Sequence, residues 1–192
     1  MYKYLLPIIL LLSSYLSFSQ KRDSVLVQSN IFTVMYSEKY EQPLWIKYEV
    51  KCPSGNISRS GMDFYVNDSI HTSDNFDYVN NIYDKGHLAP AADFNCDKKT
   101  LYETFSFLNC ALQNQYLNRG VWRLLEIRER ELAKTQKIYV YIKLDFGDEV
   151  LKSGAKIPTG FYKEIKGEKF YERYYFKNEK PTYSDFYRYK IN

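Results

Sequence analysis

Two stretches of this chain carry side chains that could do chemistry. The first is "YDKGHLAPAADF", Tyr83 to Phe94, where His87 follows Lys85 and Gly86 and precedes small residues, a proline and Asp93. The second is "LNCALQNQYLNRGVWRLLE", Leu108 to Glu126, which offers Asn109, Asn118, Arg119 and Glu126. A histidine exchanges a proton near neutral pH, with an ordinary pKa of about 6.5, and this chain has only one other, His71. The chain has no phosphate-cradling glycine loop, no G-x-S-x-G elbow, no H-E-x-x-H and no C-x-x-C. Taken singly, each residue has a plain reading. A lone histidine is more often structural than a base, and Asn118 reads as a helix-surface residue. Glu126 reads as the partner of Arg130 four residues on. Arg59 is a loop arginine, Asp93 a turn tie and His71 a loop residue.

The elements that must position these side chains follow from hydrophobic period. "LWIKYEVKC" alternates, with Leu44, Ile46, Tyr48 and Val50 on one face, and predicts a half-buried strand with "NIFTVMYS" as its hairpin partner. "KIYVYIKLDF" alternates in the same way through Ile138, Val140, Ile142, Leu144 and Phe146. Leu117, Val121, Leu124, Leu125 and Leu132 recur at helical spacing. Gly120 interrupts that helix at a cost of about 1 kcal/mol relative to alanine, which suggests that something approaches it closely. "CPSGNISRSG" reads as a loop and "EKFYERYYFKNE" as strand and turn. The sum is one α+β domain.

The first stretch, "MYKYLLPIILLLSSYLSFSQ", has one lysine, an apolar run and a small polar tail, with Ser17 and Ser19 placed for cleavage before Gln20. It reads as a signal peptide over residues 1–19, leaving a domain over 20–192 that is secreted or periplasmic. No cysteine at the cleavage point suggests a lipid anchor, and no later segment suggests a membrane span, so no membrane anchor is expected. Removing the leader takes one lysine from a formal charge of +4, a balance that permits a polyanionic partner without requiring one. Three cysteines in an oxidising compartment allow one disulfide. Cys96 and Cys110, which flank a short segment between the two motifs, are the expected pair.

"DKGHLAPAAD" resembles, with one substitution, the D-R-G-H motif of the secreted and organellar non-specific DNA/RNA endonucleases with a ββα-metal (His-Me finger) site. "LNCALQNQYLNRGVWRLLE" resembles that family's S-N-x-x-P-Q and L-N-x-x-x-W-x-x-L-E segments, and Arg59, Phe64 and Asp68 fit its R-x(4)-F-x(3)-D pattern. The likeness spans roughly residues 30–165 and two motifs at the right separation, a combination harder to reach by accident than either alone. It implies an antiparallel sheet with flanking helices, a Mg²⁺ or Mn²⁺ cofactor, DNA and RNA as substrates, and 5′-phosphate products. It also implies His87 as general base, with a backbone carbonyl holding its other ring nitrogen. Asn118 would hold the metal and Glu126 would reach metal-bound water. Asn109 would hold the site's geometry, and Arg59 and Lys85 would clamp the scissile phosphate. Departures are Lys85 for the motif arginine, Leu108 and Leu112 for its serine and proline, and no T-G-P or I-E-x-x-T-G segment. Two rival readings are a nucleic-acid-binding relative with weakened turnover and a tyrosine-rich structural or adhesion module. Nothing in the sequence specifies an inhibitor or immunity protein.

Overall fold

The computed structural model describes residues 21–192, and the leader reading lies outside them. Nine strands and three α-helices are described: β1 (Val25–Gln28), β2 (Phe32–Ser37), β3 (Gln42–Glu49), β4 (Tyr83–His87), α1 (Lys98–Glu103), β5 (Cys110–Asn114), α2 (Gln115–Leu117), α3 (Arg123–Ala133), β6 (Tyr139–Val150), β7 (Lys156–Lys166), β8 (Tyr171–Lys177) and β9 (Lys190–Ile191). Seven strands form one antiparallel sheet in the order β1-β2-β3-β6-β7-β8-β9, while β4 and β5 pair separately. This is the expected α+β, ββα-metal architecture: a two-stranded hairpin-like pair leading into helix, set against a larger sheet.

Period-two alternation decides which face of the sheet is covered. Val34, Tyr36, Ile46, Tyr48, Val140, Ile142, Leu144, Phe161, Ile165, Tyr174 and Phe176 point inward and are buried. Leu117, Val121, Trp122 and Leu125 from the helical segment complete this core. Trp122 meets Phe161 and Phe176 edge-on, at 5.5 and 5.7 Å between ring centroids. Removing a buried side chain of this kind costs about 3–5 kcal/mol, because the core closes only partly over the gap. Leu124, placed on the inner face by the helical count, is instead exposed. The reason is a π-turn, Asn118–Trp122, which inserts an extra residue into the helical count and rotates the residues after it.

Gly120 lies in that turn with φ −99° and ψ −118°, outside helical space. A Cβ built there would meet nothing within 4 Å, so the glycine marks a break in the helix and not a close approach. Gly86 in β4 is the opposite case. A Cβ there would stand 2.6 Å from the Cβ of Gln113 and 3.2 Å from the carbonyl of Ala111, so the β4–β5 pairing itself requires glycine. Amides then fasten β5 to the large sheet: Leu112 N–H donates to Gln42 Oε1 at 3.1 Å, and Asn178 Nδ2 donates to the Leu112 carbonyl at 2.8 Å.

The disulfide joins Cys52 to Cys96, and Cys110 is a buried thiol donating to the Tyr78 hydroxyl at 3.2 Å. The expected Cys96–Cys110 pair is therefore wrong. Cys110 opens β5 with its side chain turned into the interior. The loop after β3 is meanwhile zipped to the turn after β4, with Cys52 N–H donating to the Asp93 carbonyl at 2.9 Å and Ile57 N–H to that of Asn95 at 3.0 Å. That zipper delivers Cys52 to Cys96. The bridge closes a separation of 44 residues, which corresponds to about 4 kcal/mol in the chain-entropy account. Cys52→Ser should lower the unfolding free energy by roughly that amount, whereas Cys110→Ser should leave the disulfide intact. Peptide mapping of unreduced protein together with urea melts checks both.

Candidate active site

The site is assembled where β4, β5 and the following helical turn meet. Lys85 and His87 project from one side of β4, beside a cleft of about 950 Å³ that also takes in Arg59, Asp84, Asn118, Arg123, Glu126 and Arg130. Five of the six residues singled out from the sequence, Arg59, Lys85, His87, Asn118 and Glu126, line this one cleft. The sixth, Asn109, lies behind it. Asp68 is exposed and does not line the cleft; Asp63 stands there in its stead.

Asn109 is fully buried and makes three hydrogen bonds with its side chain. Its Oδ1 accepts from Ala89 N–H at 2.7 Å, and its Nδ2 donates to the carbonyls of Ala89 and Thr104, both at 2.9 Å. Its own carbonyl accepts from Leu88 N–H at 3.0 Å. The backbone leaving His87 is thereby pinned, since losing that amide would strand several buried polar groups.

His87 is wedged between aromatic rings, with centroids 4.6 Å from Phe64 and 4.9 Å from Phe105. Its Nε2 is buried without a hydrogen-bond partner, so the expected backbone carbonyl does not hold it among the described residues. Packing fixes this ring where a tautomer-setting hydrogen bond was expected. Burial first, and the nearby Arg59 guanidinium second, push its pKa down to about 3, well below the ordinary histidine value. The ring is neutral throughout the physiological range.

Lys85 reaches the cleft, but its ammonium donates to Asp63 Oδ1 at 2.7 Å and to Asn75 Oδ1 at 2.6 Å. Asp63 is held below the usual carboxylate range chiefly by that hydrogen bond.

Asn118 opens the π-turn, and Asp84 from β4 orients it. Its Nδ2 donates to Asp84 Oδ2 at 2.9 Å, while Arg119 binds the same carboxylate in a two-pronged grip at 2.8 and 2.5 Å. Burial opposes ionisation of Asp84, but hydrogen bonds from Arg119 and then Asn118 outweigh it and its pKa falls. With its nitrogen committed, the Asn118 amide has its oxygen left to accept or coordinate. Asp84 is absent from the candidates that the sequence singles out, although the motif contains it, because its partners become visible only when β4 lies beside the turn after β5.

Glu126 stands two helical turns beyond Asn118. Burial raises its pKa to about 7; Lys163 opposes that rise and Glu129 adds to it. The bland pairing with Arg130 is not made: Arg130 binds the buried Asp93 at 2.9 Å. Asp93 is thus a buried ion-pair partner as well as a turn residue.

A neutral histidine, an oriented amide oxygen and a carboxylate, delivered by two strands and a helix and rimmed by arginines, suit an anionic ester better than a neutral substrate. The sequence model of the DNA/RNA non-specific endonucleases matches residues 14–190. The chain belongs to that family. Mitochondrial endonuclease G of Bos taurus is 29% identical over 156 residues, covering 70% of this chain and 51% of its own length. A nuclease of Syncephalastrum racemosum is 38% identical over 85 residues, covering 43% of this chain and 27% of its own. The chain thus spans about half the length of the endonuclease G relatives. Among solved structures, one described as the EndoG/EndoGI complex, on the mechanism of EndoG inhibition, superposes with a TM-score of 0.77 at 27% identity. It covers 87% of this chain and 80% of its own. The family's two-strand-and-helix core is therefore present here with the residues of both motifs at its cleft.

The raised pKa of Glu126 has a cost that can be measured. The folded pKa of Glu126, about 7, lies above its ordinary 4.5, so the folded state binds the extra proton between these values and loses stability as pH rises through 7. In metal-free protein, Glu126→Gln should raise the Tm by several degrees at pH 8, and the gain should vanish below pH 4.5. Thermal melts across that range check this.

Proposed function

We propose that this domain is a metal-dependent endonuclease that hydrolyses phosphodiester bonds of DNA and RNA with little sequence preference. The observation that carries the reading is the convergence of His87 and the Asp84-oriented Asn118 amide in one arginine-rimmed cleft. His87 accepts the proton of the attacking water as its oxygen bonds to phosphorus and the bond from phosphorus to the 3′ oxygen breaks. With Nε2 turned inward, Nδ1 is the nitrogen left to face the cleft. Arg59 and Arg123 supply positive charge beside the phosphate as it gains negative charge. A bound phosphodiester also offsets the repulsion from Arg59 that helps to depress the histidine.

The donor set fits a hard cation that keeps most of its water. No cluster of three or more His, Cys, Asp or Glu suited to a metal occurs among the described residues. Asp63 and Asp84 in the cleft are engaged by Lys85 and Arg119, which leaves the neutral amide oxygen of Asn118 and the carboxylate of Glu126 to approach an ion. That suits Mg²⁺ or Mn²⁺ held mainly through water, and the ion would supply charge to the phosphate and to the leaving oxygen. Secretion belongs to the same proposal, supported by the leader-like first residues and by the Cys52–Cys96 bridge, which favours an oxidising compartment.

Nicking of supercoiled plasmid with and without EDTA tests the function: cleavage that requires Mg²⁺ or Mn²⁺ supports it, and intact plasmid at all metal concentrations refutes it. His87→Ala should lower kcat by about 10³-fold while the protein still binds metal. Asn118→Ala should raise the metal concentration needed for half-maximal rate, with partial recovery at high metal. Asp63→Asn should release Lys85 toward the substrate and lower KM, measured at fixed ionic strength because phosphate contacts weaken steeply with salt.

A further inference from the structure

Arg59 reaches the cleft on a segment with little structure of its own. Residues 53–64 form neither helix nor strand, and Arg59 itself is exposed. Among the described residues, one backbone hydrogen bond ties this segment to the rest of the chain, from Ile57 N–H to the Asn95 carbonyl. Ile57 and Met62 are only half-buried against a small apolar cluster, and no residue of the segment belongs to the main core. A segment with so few buried contacts opens locally well before the fold does.

The turn after β4 lines the same cleft through Pro90, Ala92 and Asn95, and it is held firmly. Asn109 fixes Ala89, and Arg130 pairs with the fully buried Asp93 at 2.9 Å. The Cys52–Cys96 bridge therefore joins a firm wall of the cleft to a weakly held one. Gly55 marks how closely the two are drawn together, since a Cβ there would collide with Asn95 and with the Cys52 sulfur. Cys52 is buried but Cys96 is exposed, so an external thiolate can reach one of the two sulfurs.

We propose that the Cys52–Cys96 bridge is a redox switch on the active site: closed, it positions the wall that carries Arg59, and its reduction slows cleavage without unfolding the domain. The reductant is a dithiol. Its thiolate attacks Cys96 Sγ, the S–S bond breaks, and Cys52 leaves as a thiolate that takes up a proton. The second thiol then displaces Cys96 in the same way, so the protein gains two thiols and the reductant becomes a disulfide. What the switch controls rests on the endonuclease reading. The enzyme would be slow in a reducing cytosol and fast in an oxidising compartment, where the bridge forms.

The test compares oxidised wild-type protein with protein held in dithiothreitol, its freed thiols counted, on plasmid with Mg²⁺ at equal ionic strength. The reduced protein should stay folded at the assay temperature by circular dichroism, while kcat falls about tenfold or more. Reoxidation should restore the rate. Arg59→Ala should be slow in both states, with reduction changing its kcat by less than about twofold, because bridge and arginine act through one contact. Hydrogen exchange should quicken on reduction in peptides covering residues 53–64 and not in those of the large sheet. Equal kcat in the two wild-type states overturns the proposal, as does unfolding on reduction or an equal loss in the Arg59→Ala protein. If the wild-type protein cleaves in neither state, the endonuclease reading fails, and the exchange measurement alone decides whether the bridge holds the Arg59 segment.

Discussion

The hydrogen bond from Asn118 to Asp84 is the contact on which the cleft depends. Asn118 stands where α2 gives way to the π-turn, and the backbone there does not by itself aim its side-chain amide. The carboxylate comes from β4, which also carries Lys85 and His87, so one strand both presents His87 and orients the amide. For this to work, β4 must lie close against β5, and Gly86 makes that approach possible. β5 must also be fixed to the large sheet, which the amides of Gln42 and Asn178 accomplish.

Charge is distributed so that the cleft is ready for an anion before one arrives. Arg59 and Arg123 are exposed at the cleft, whereas Asp93 and Glu129 are buried beneath it and paired with Arg130 and Lys163. Two titratable groups of the cleft are held away from their ordinary states: His87 against protonation, Glu126 against ionisation. Such departures cost folding free energy, and they are concentrated where catalysis would use them. The core of tyrosine, phenylalanine and branched aliphatic side chains beneath the sheet supplies the stability that offsets them.

Much of this was legible in the sequence. Alternation placed the strands around Ile46 and Ile142, the two motifs placed Lys85, His87, Asn118 and Glu126 in one cleft, and the R-x(4)-F-x(3)-D pattern added Arg59. The failures have two physical causes: contacts between segments far apart in the chain, and a local π-turn that breaks the helical count. Cys52 finds Cys96 because two loops are zipped together, and no spacing rule encodes that meeting. Leu124 turned outward because a π-turn shifted the helical count, and Gly120 serves that turn with nothing packed against it. His87 was expected to be held by a carbonyl, but Phe64 and Phe105 hold it by packing. Asp84 was in plain view within "DKGH", but its function appears only across the gap to Asn118.

The central claim, that Asp84 aims the Asn118 oxygen at a metal, can be tested without turnover by titrating Mn²⁺ into protein and following free Mn²⁺ by electron paramagnetic resonance. Wild-type protein should show one site. Asn118→Ala should lose it, and Asp84→Ala should weaken it by about tenfold or more, as removal of a group supporting a metal ligand does, while His87→Ala should bind as the wild type. Equal Mn²⁺ affinity in the wild-type, Asn118→Ala and Asp84→Ala proteins would contradict the account.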